Sequence, residues 1–405
     1  MPTIQPFAAL RPRAELASKI CELPYDVMST EEARSMAAGN PLSFLRVSKP
    51  EIEMAPNADP YGPEVYARGA ENFASLIRQG ALVRDPEPSF YFYRQIMGTH
   101  SQVGLVALAS CEEYRLGIVK RHELTRPDKE DDRVRHIEAL NAQTGPVFLT
   151  YREVPEISTW VEGRISMAPE VDFYGSDGIR HSSWLVSSLA DQAWLAGAFA
   201  RVSSFYIADG HHRSAAAARV AEARQGRGMS GHFLSVIFPH NQMQILPYNR
   251  VIRDLNGSTE AQFLDLLEAV FTLRSGPGGQ ARRKHDLGLY IGGEWRGLTF
   301  RPELTDAKDP VDRLDVTQLQ KQVLGPLLGI EDPRTSRRLS FVGGIRGTAE
   351  LEARVNTGEA VCAFSLFPTG IQDLMEIADA GGIMPPKSTW FEPKLRDALF
   401  CHVFD

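Results

Sequence analysis

The chain predicts an α/β (α+β) protein with more than one domain, on three observations. Stretches of strand and helix character alternate along it, which is the pattern of mixed layers around a sheet. Its 405 residues exceed what one hydrophobic core usually organises. Hydrophobic residues make up 43% and charged residues 23%, enough apolar material for a large core, yet no apolar run approaches the ~18 residues of a membrane span. We expect three regions: an N-terminal α/β region 1–100, a central core 101–250 and a C-terminal α/β domain 251–405.

In chain order, Ser29-Thr-Glu-Glu32 reads as a capping box opening a helix that Gly39 stops. Pro63 to Leu82 reads as a longer helix. The runs from Ser89 to Arg94 and from Gln102 to Leu108, joined across Gly98, read as a hairpin. A helix is expected from Pro127 with Val134, Ile137 and Leu140 inward, then a strand over 146–151. Val202, Phe205 and Ile207 suit a buried strand, Gly210 a tight turn, and the alanine-rich run from Ser214 to Arg224 a helix. Strands follow over 232–238 and 244–252. The C-terminal region offers a helix over 311–328, strands over 339–342 and 361–366, and a helix over 371–378. Ser275-Gly-Pro-Gly-Gly is the clearest loop punctuation.

The strand-turn-helix around Asp209-Gly-His-His-Arg213 is where chemistry is expected. A helix start offers backbone N–H groups and the positive end of the dipole to an anion, and Gly210, His211, His212 and Arg213 crowd that start with phosphate donors. Asp209 would repel phosphate unless a cation intervenes, so a Mg²⁺-nucleotide, with Asp209 as metal ligand, suits the constellation better than a bare anion. The competing interpretation is a capped structural turn. A second candidate lies in the charged stretch from Lys120 to Glu138, where six acids and six bases most simply form a solvated helix face. Within it, Glu123 stands just ahead of the helix among cations, as a general base toward a hydroxyl would.

Other motifs fail on chemistry. Arg126 stands where H-E-x-x-H needs its second histidine. Gly381-Gly-Ile-Met-Pro-Pro-Lys-Ser puts Pro386 where a phosphate-binding loop needs glycine. The scattered Cys21, Cys111, Cys362 and Cys401 argue for reduced thiols rather than disulfides or zinc, and the start of the chain has no basic-then-apolar leader, so a cytoplasmic protein is expected. A net charge of −7 argues against a large nucleic-acid footprint and leaves a homo-oligomer open.

Two segments carry a resemblance. Asp209-Gly-His-His-Arg213 resembles a segment of the archaeal ADP-dependent free serine kinase, a member of the ParB and sulfiredoxin-like superfamily. Lys120-Arg-His-Glu123 resembles that kinase's lysine-proline-histidine-glutamate segment, in the same order ahead of the first. The wider pattern is identified as domain of unknown function 1015, often labelled SerK-like, on Leu23-Pro-Tyr-Asp-Val, the run from Asn40 to Val47, the run from His122 to Arg133, Leu246-Pro-Tyr-Asn-Arg and the run from Met384 to Lys394.

The resemblance implies a ParB/sulfiredoxin-like mixed core with α/β additions at both ends, and a kinase using Mg²⁺ with ATP or ADP. Glu123 would be the base, Asp209, His211, His212 and Arg213 would handle phosphate and metal, and the acceptor would be a small hydroxyl-bearing metabolite such as free L-serine. The spacing from Glu123 to Asp209 is longer here than in that kinase, and the motifs at 24–27, 40–47 and 384–394 have no derived role. A ParB-like nucleotide-binding switch and a nucleotide hydrolase are the alternatives.

Overall fold

In the computed structural model, which describes all residues except 57, 276–280 and 405, the chain divides into two compact units. The first comprises Met1–Met243 with Pro393–Asp405, the second Gln244–Glu392. The regions expected separately as 1–100 and 101–250 share the first unit, and its last residues return to it from beyond the second.

The first unit is organised by a nine-stranded sheet. Its strands are β1 (Ile4–Gln5), β2 (Phe90–Met97), β3 (His100–Ser110), β4 (Val119–Lys120), β5 (Val147–Tyr151), β6 (Val171–Tyr174), β7 (Arg180–Val186), β8 (Phe205–Asp209) and β9 (His232–Pro239). They lie in the order β4-β8-β5-β9-β3-β2-β7-β6, with β1 on β3. The β8–β4 and β9–β5 pairs are parallel and the other pairs antiparallel, so the sheet is mixed. The expected hairpin is β2–β3, turning at Gly98 with φ +59°. Phe92, Leu105, Leu149, Phe205, Ile207 and Ile237 are buried in one core cluster, as their position on central strands requires.

Four helices of this unit matter for the site: α1 (Thr30–Met36), α2 (Pro63–Arg78), α3 (Pro127–Leu140) and α4 (His211–Ala223). The capping box on α1 forms, Ser29 Oγ accepting from Glu32 N and Glu32 Oε2 from Ser29 N. Two expectations need adjusting. Helix α2 stops at Arg78, because Gly80 turns with φ +66° and Leu82–Arg84 forms a short strand. Helix α3 does not present a simple apolar stripe: Ile137 and Leu140 are buried, Val134 is half-buried, and Asp132, Arg133 and His136 are buried beside them. Each of these polar groups has a partner. Tyr66 Oη donates to Asp132 at 2.9 Å, Arg133 pairs with Asp132 at 2.7 Å and lies 3.7 Å over the Tyr25 ring, and His136 Nε2 meets Val47 O at 3.0 Å.

The second unit is built on a six-stranded sheet of β10 (Tyr248–Ile252), β11 (Phe271–Ser275), β12 (Asp286–Ile291), β13 (Glu294–Phe300), β14 (Leu339–Gly343) and β15 (Cys362–Leu366), in the order β11-β13-β12-β15-β10-β14. The strand expected over 244–252 is two, Gln244–Leu246 and β10, because Pro247 has no N–H to continue a ladder. The helix expected over 311–328 is a short helix Asp315–Leu319 and one wide turn Gln320–Leu324, with Gly325-Pro326 ending it. The helix expected over 371–378 is present as Ile371–Asp379. Residues 276–279 of the Ser275–Gly279 punctuation lie outside the described residues.

Within the second unit, the 384–392 stretch is held by its backbone. Arg250 donates to Lys387 O at 2.9 Å and Pro386 O at 3.4 Å, Ser388 Oγ donates to Pro385 O, and Trp390–Glu392 pairs with Gln244–Leu246. In the first unit the 40–47 run is likewise a packing element: Phe44, Leu45 and Val47 are fully buried, and Asn40 and Arg46 hydrogen-bond neighbouring carbonyls.

Candidate functional site

The site is assembled where β8 meets α4. Strand β8 is buried on both faces from Phe205 to Ala208, and its register on β5 shifts between Ile207 and Asp209, a bulge that re-aims the end of the strand. Gly210 then takes φ +98°, a conformation costly for any residue with a Cβ, and α4 starts at once with His211. A Cβ on Gly210 would sit 3.1 Å from Arg213 Nε, so the turn and the arginine are packed against each other. The helix begins three residues before the expected Ser214, which places His211, His212 and Arg213 in its first turn. Ala216, Ala217 and Val220 bury the inner face of the helix.

Parallel pairing of β4 with β8, Val119 opposite Phe205 and Lys120 opposite Tyr206, delivers the following residues to the same turn. His122 and His211 meet as rings at right angles, with centroids 4.5 Å apart. Glu123 Oε2 lies 3.9 Å from His211 Nδ1. Further along, Arg126 N donates to His212 Nε2 at 3.1 Å, which ties the entrance of α3 to the start of α4. The segment from 121 to 126 is thus fastened along the helix start, although Glu123 and Asp209 are far apart in sequence.

Asp209 sits among cations. Its Oδ2 lies 3.1 Å from Arg213 Nη2 and 3.7 Å from Lys394 Nζ. Arg213 is 9% exposed and also donates through Nη1 to Pro146 O. Burial alone would lower its pKa, but Asp209, Asp26 and Asp397 outweigh it and hold the guanidinium firmly charged. Arg213 is therefore embedded behind the turn and stabilises Asp209. Burial also depresses both histidines: His122 falls to about 4, against the opposing pull of Asp209, and His211 falls well below its ordinary value, with His122, His212 and Arg121 adding to the effect. Both are neutral near pH 7.

Behind Arg213 lies a small cavity lined by Tyr25, Ser48, Arg133, His136, Arg213 and Asp397, among others. Asp397 is 3% exposed. Burial raises its pKa to about 7, with Asp26 adding and Arg213, Arg133 and Arg396 opposing. The Tyr25-Asp26 motif thus belongs to the electrostatic support of the Asp209 turn. Sequence reasoning gave no role to His122, Asp397 or Lys394. Lys394 closes the Phe391-Glu-Pro-Lys394 stretch of a motif that was visible but unassigned.

A family model matches residues 4–317, and the chain belongs to that family, the proteins of unknown function termed DUF1015. No curated protein matches the sequence. Similar solved structures include a conserved hypothetical protein from Pyrococcus furiosus, with TM-score 0.35 and 13% identity, covering 72% of this chain and 93% of that one. A free serine kinase in complex with AMP has TM-score 0.37 and 13% identity, covering 73% and 92%. The protein SbnI with C-terminal truncation from Staphylococcus aureus has TM-score 0.39 and 11% identity, covering 72% and 85%. Among the described residues, no helix is long and apolar enough to cross a membrane.

Proposed function

We propose that the protein is a small-molecule kinase that transfers a phosphoryl group from ATP or ADP to a hydroxyl, with free L-serine as the first acceptor to test. The observation that carries the reading is the convergence at the start of α4, where Glu123 lies 3.9 Å from His211 and Asp209 holds Arg213 and Lys394. The ParB/sulfiredoxin-like core implied by the two sequence segments is part of the same proposal.

Each group has a task in this reading. The N–H groups in the first turn of α4 lack carbonyls of their own helix and donate to phosphate oxygens, aided by the dipole. Glu123, whose side chain is 34% exposed, takes the acceptor's proton as its oxygen attacks phosphorus and the bond to the nucleotide breaks. His211, buried and neutral, packs 3.9 Å from the Glu123 carboxylate, and His212 holds the Arg126 backbone that carries Glu123's loop. Gly210 lets the backbone approach the phosphate. Lys394 and Arg213 offset the negative charge of Asp209 and so remove its repulsion of phosphate.

That offset bears on magnesium. A magnesium ion takes oxygen ligands and keeps waters, whereas Asp209 Oδ2 already faces two side-chain cations. Asp209 therefore anchors Lys394 and Arg213 through Oδ2, and a nucleotide-bound magnesium would be held by Asp209 through one of its retained waters.

The test is Glu123→Gln with a screen of nucleotides against hydroxyl-bearing metabolites, read by mass spectrometry. The variant should bind nucleotide normally and lose roughly 10²-fold or more in transfer. Near-normal turnover in the variant would overturn the role of Glu123. Free phosphate as the sole product would make the protein a hydrolase, and nucleotide-dependent capture of a macromolecule without turnover would make it a switch.

A further inference from the structure

We propose that His122, Glu123 and His211 form a binding site for one divalent transition-metal ion of zinc's class. Among the described residues, these three offer ligand atoms that all lie within 4.8 Å of one another. They come from two separate segments, the exit of β4 and the first turn of α4, joined by the β4–β8 pairing.

The second observation is independent of that spacing. His122 is 2% and His211 5% exposed, and His122 Nδ1 and His211 Nε2 are buried without a hydrogen-bond partner. Buried imidazole nitrogens are normally paired, and a lone pair left over at such depth is what a metal ion satisfies. The opposite edge of the His122 ring is already oriented, by a hydrogen bond with the Ile207 backbone, as metal-ligating histidines usually are.

The donor set selects the ion. Two imidazoles and one carboxylate suit zinc, cobalt or nickel, whereas magnesium and calcium prefer oxygen ligands. Three protein ligands leave a fourth position open, the arrangement of reactive rather than purely structural zinc sites. Zinc holds such ligands at about 2.0–2.2 Å, so the three must close on the ion, chiefly through rotation of the Glu123 side chain about its own bonds. The proposal stands without the kinase reading, since binding is measured on the protein alone. If both hold, zinc engages the Glu123 carboxylate and inhibits transfer.

The experiment is titration of chelator-treated, dialysed full-length protein with Co²⁺, followed by visible absorption, and with Zn²⁺ by calorimetry. One equivalent should bind with a low-coordinate cobalt spectrum, and His122→Ala, His211→Ala and Glu123→Gln should each weaken affinity by at least about 10-fold. Absence of stoichiometric binding, or affinity unchanged in all three variants, would overturn the site. Should circular dichroism show either histidine variant misfolded, Glu123→Gln decides alone, because its side chain is 34% exposed and the change keeps its shape.

Discussion

Arg213→Met tests whether the turn at Asp209 depends on buried charge. The substitution keeps a long side chain but removes a cation that pairs with Asp209 at 3.1 Å and opposes the raised pKa of buried Asp397. Asp397 titrates at about 7 in the folded protein against an ordinary value of 3.8, so the fold holds a proton that the unfolded chain releases. The stability it contributes is therefore complete below pH 3.8, is lost as pH rises toward 7, and is constant above. Without Arg213 the folded pKa rises further and the decline continues past 7. At about pH 5.5 Asp397 is protonated in both folded proteins and contributes little to their difference. At about pH 8.5 the variant loses up to about 2 kcal/mol more, from 1.5 pH units at 1.36 kcal/mol each. Differential scanning calorimetry at both pH values should show that excess as roughly 4–8 °C of additional shift in the transition of the first unit. Asp397→Asn in the same background should remove the pH dependence. A loss equal at both pH values, or one that Asp397→Asn leaves pH-dependent, would refute this account of the buried charges.

Gly210→Ala should cost about 1–3 kcal/mol, because φ +98° is strained for alanine and the new Cβ meets Arg213 at 3.1 Å; urea unfolding checks it, and an unshifted midpoint would contradict the turn geometry. Lys394→Met leaves Asp209 with less positive charge beside it. It should weaken nucleotide binding in calorimetry, and Asp209→Asn should restore part of the loss; undiminished affinity in Lys394→Met would remove Lys394 from the site.

Several features were legible because their signals are local. The capping box at Ser29–Glu32, the hairpin across Gly98 and the strand-glycine-helix at 205–223 each lie within one window of sequence, where propensity, turn chemistry and apolar period agree. Glu123 and the Asp209–Arg213 run could likewise be singled out by charge and by motif. What sequence left open depended on distant partners. The charged stretch of α3 is solvated at Asp128, Arg135 and Glu138, as its composition implied, but Asp132, Arg133 and His136 are buried because Tyr25, Tyr66 and Val47 supply their partners.

The sequence by itself determined that the chain would build a mixed α/β core and that a positively polarised helix start would follow Asp209-Gly210. Only the tertiary structure decided what stands around that start. Parallel pairing of β4 with β8 brings His122 and Glu123 to His211, and the return of residues 393–405 to the first unit brings Lys394 to Asp209 and Asp397 to the cavity behind Arg213. The physical reason is that backbone preference acts over a few residues, whereas strand order and the burial of charge are settled by the partners that the whole fold supplies.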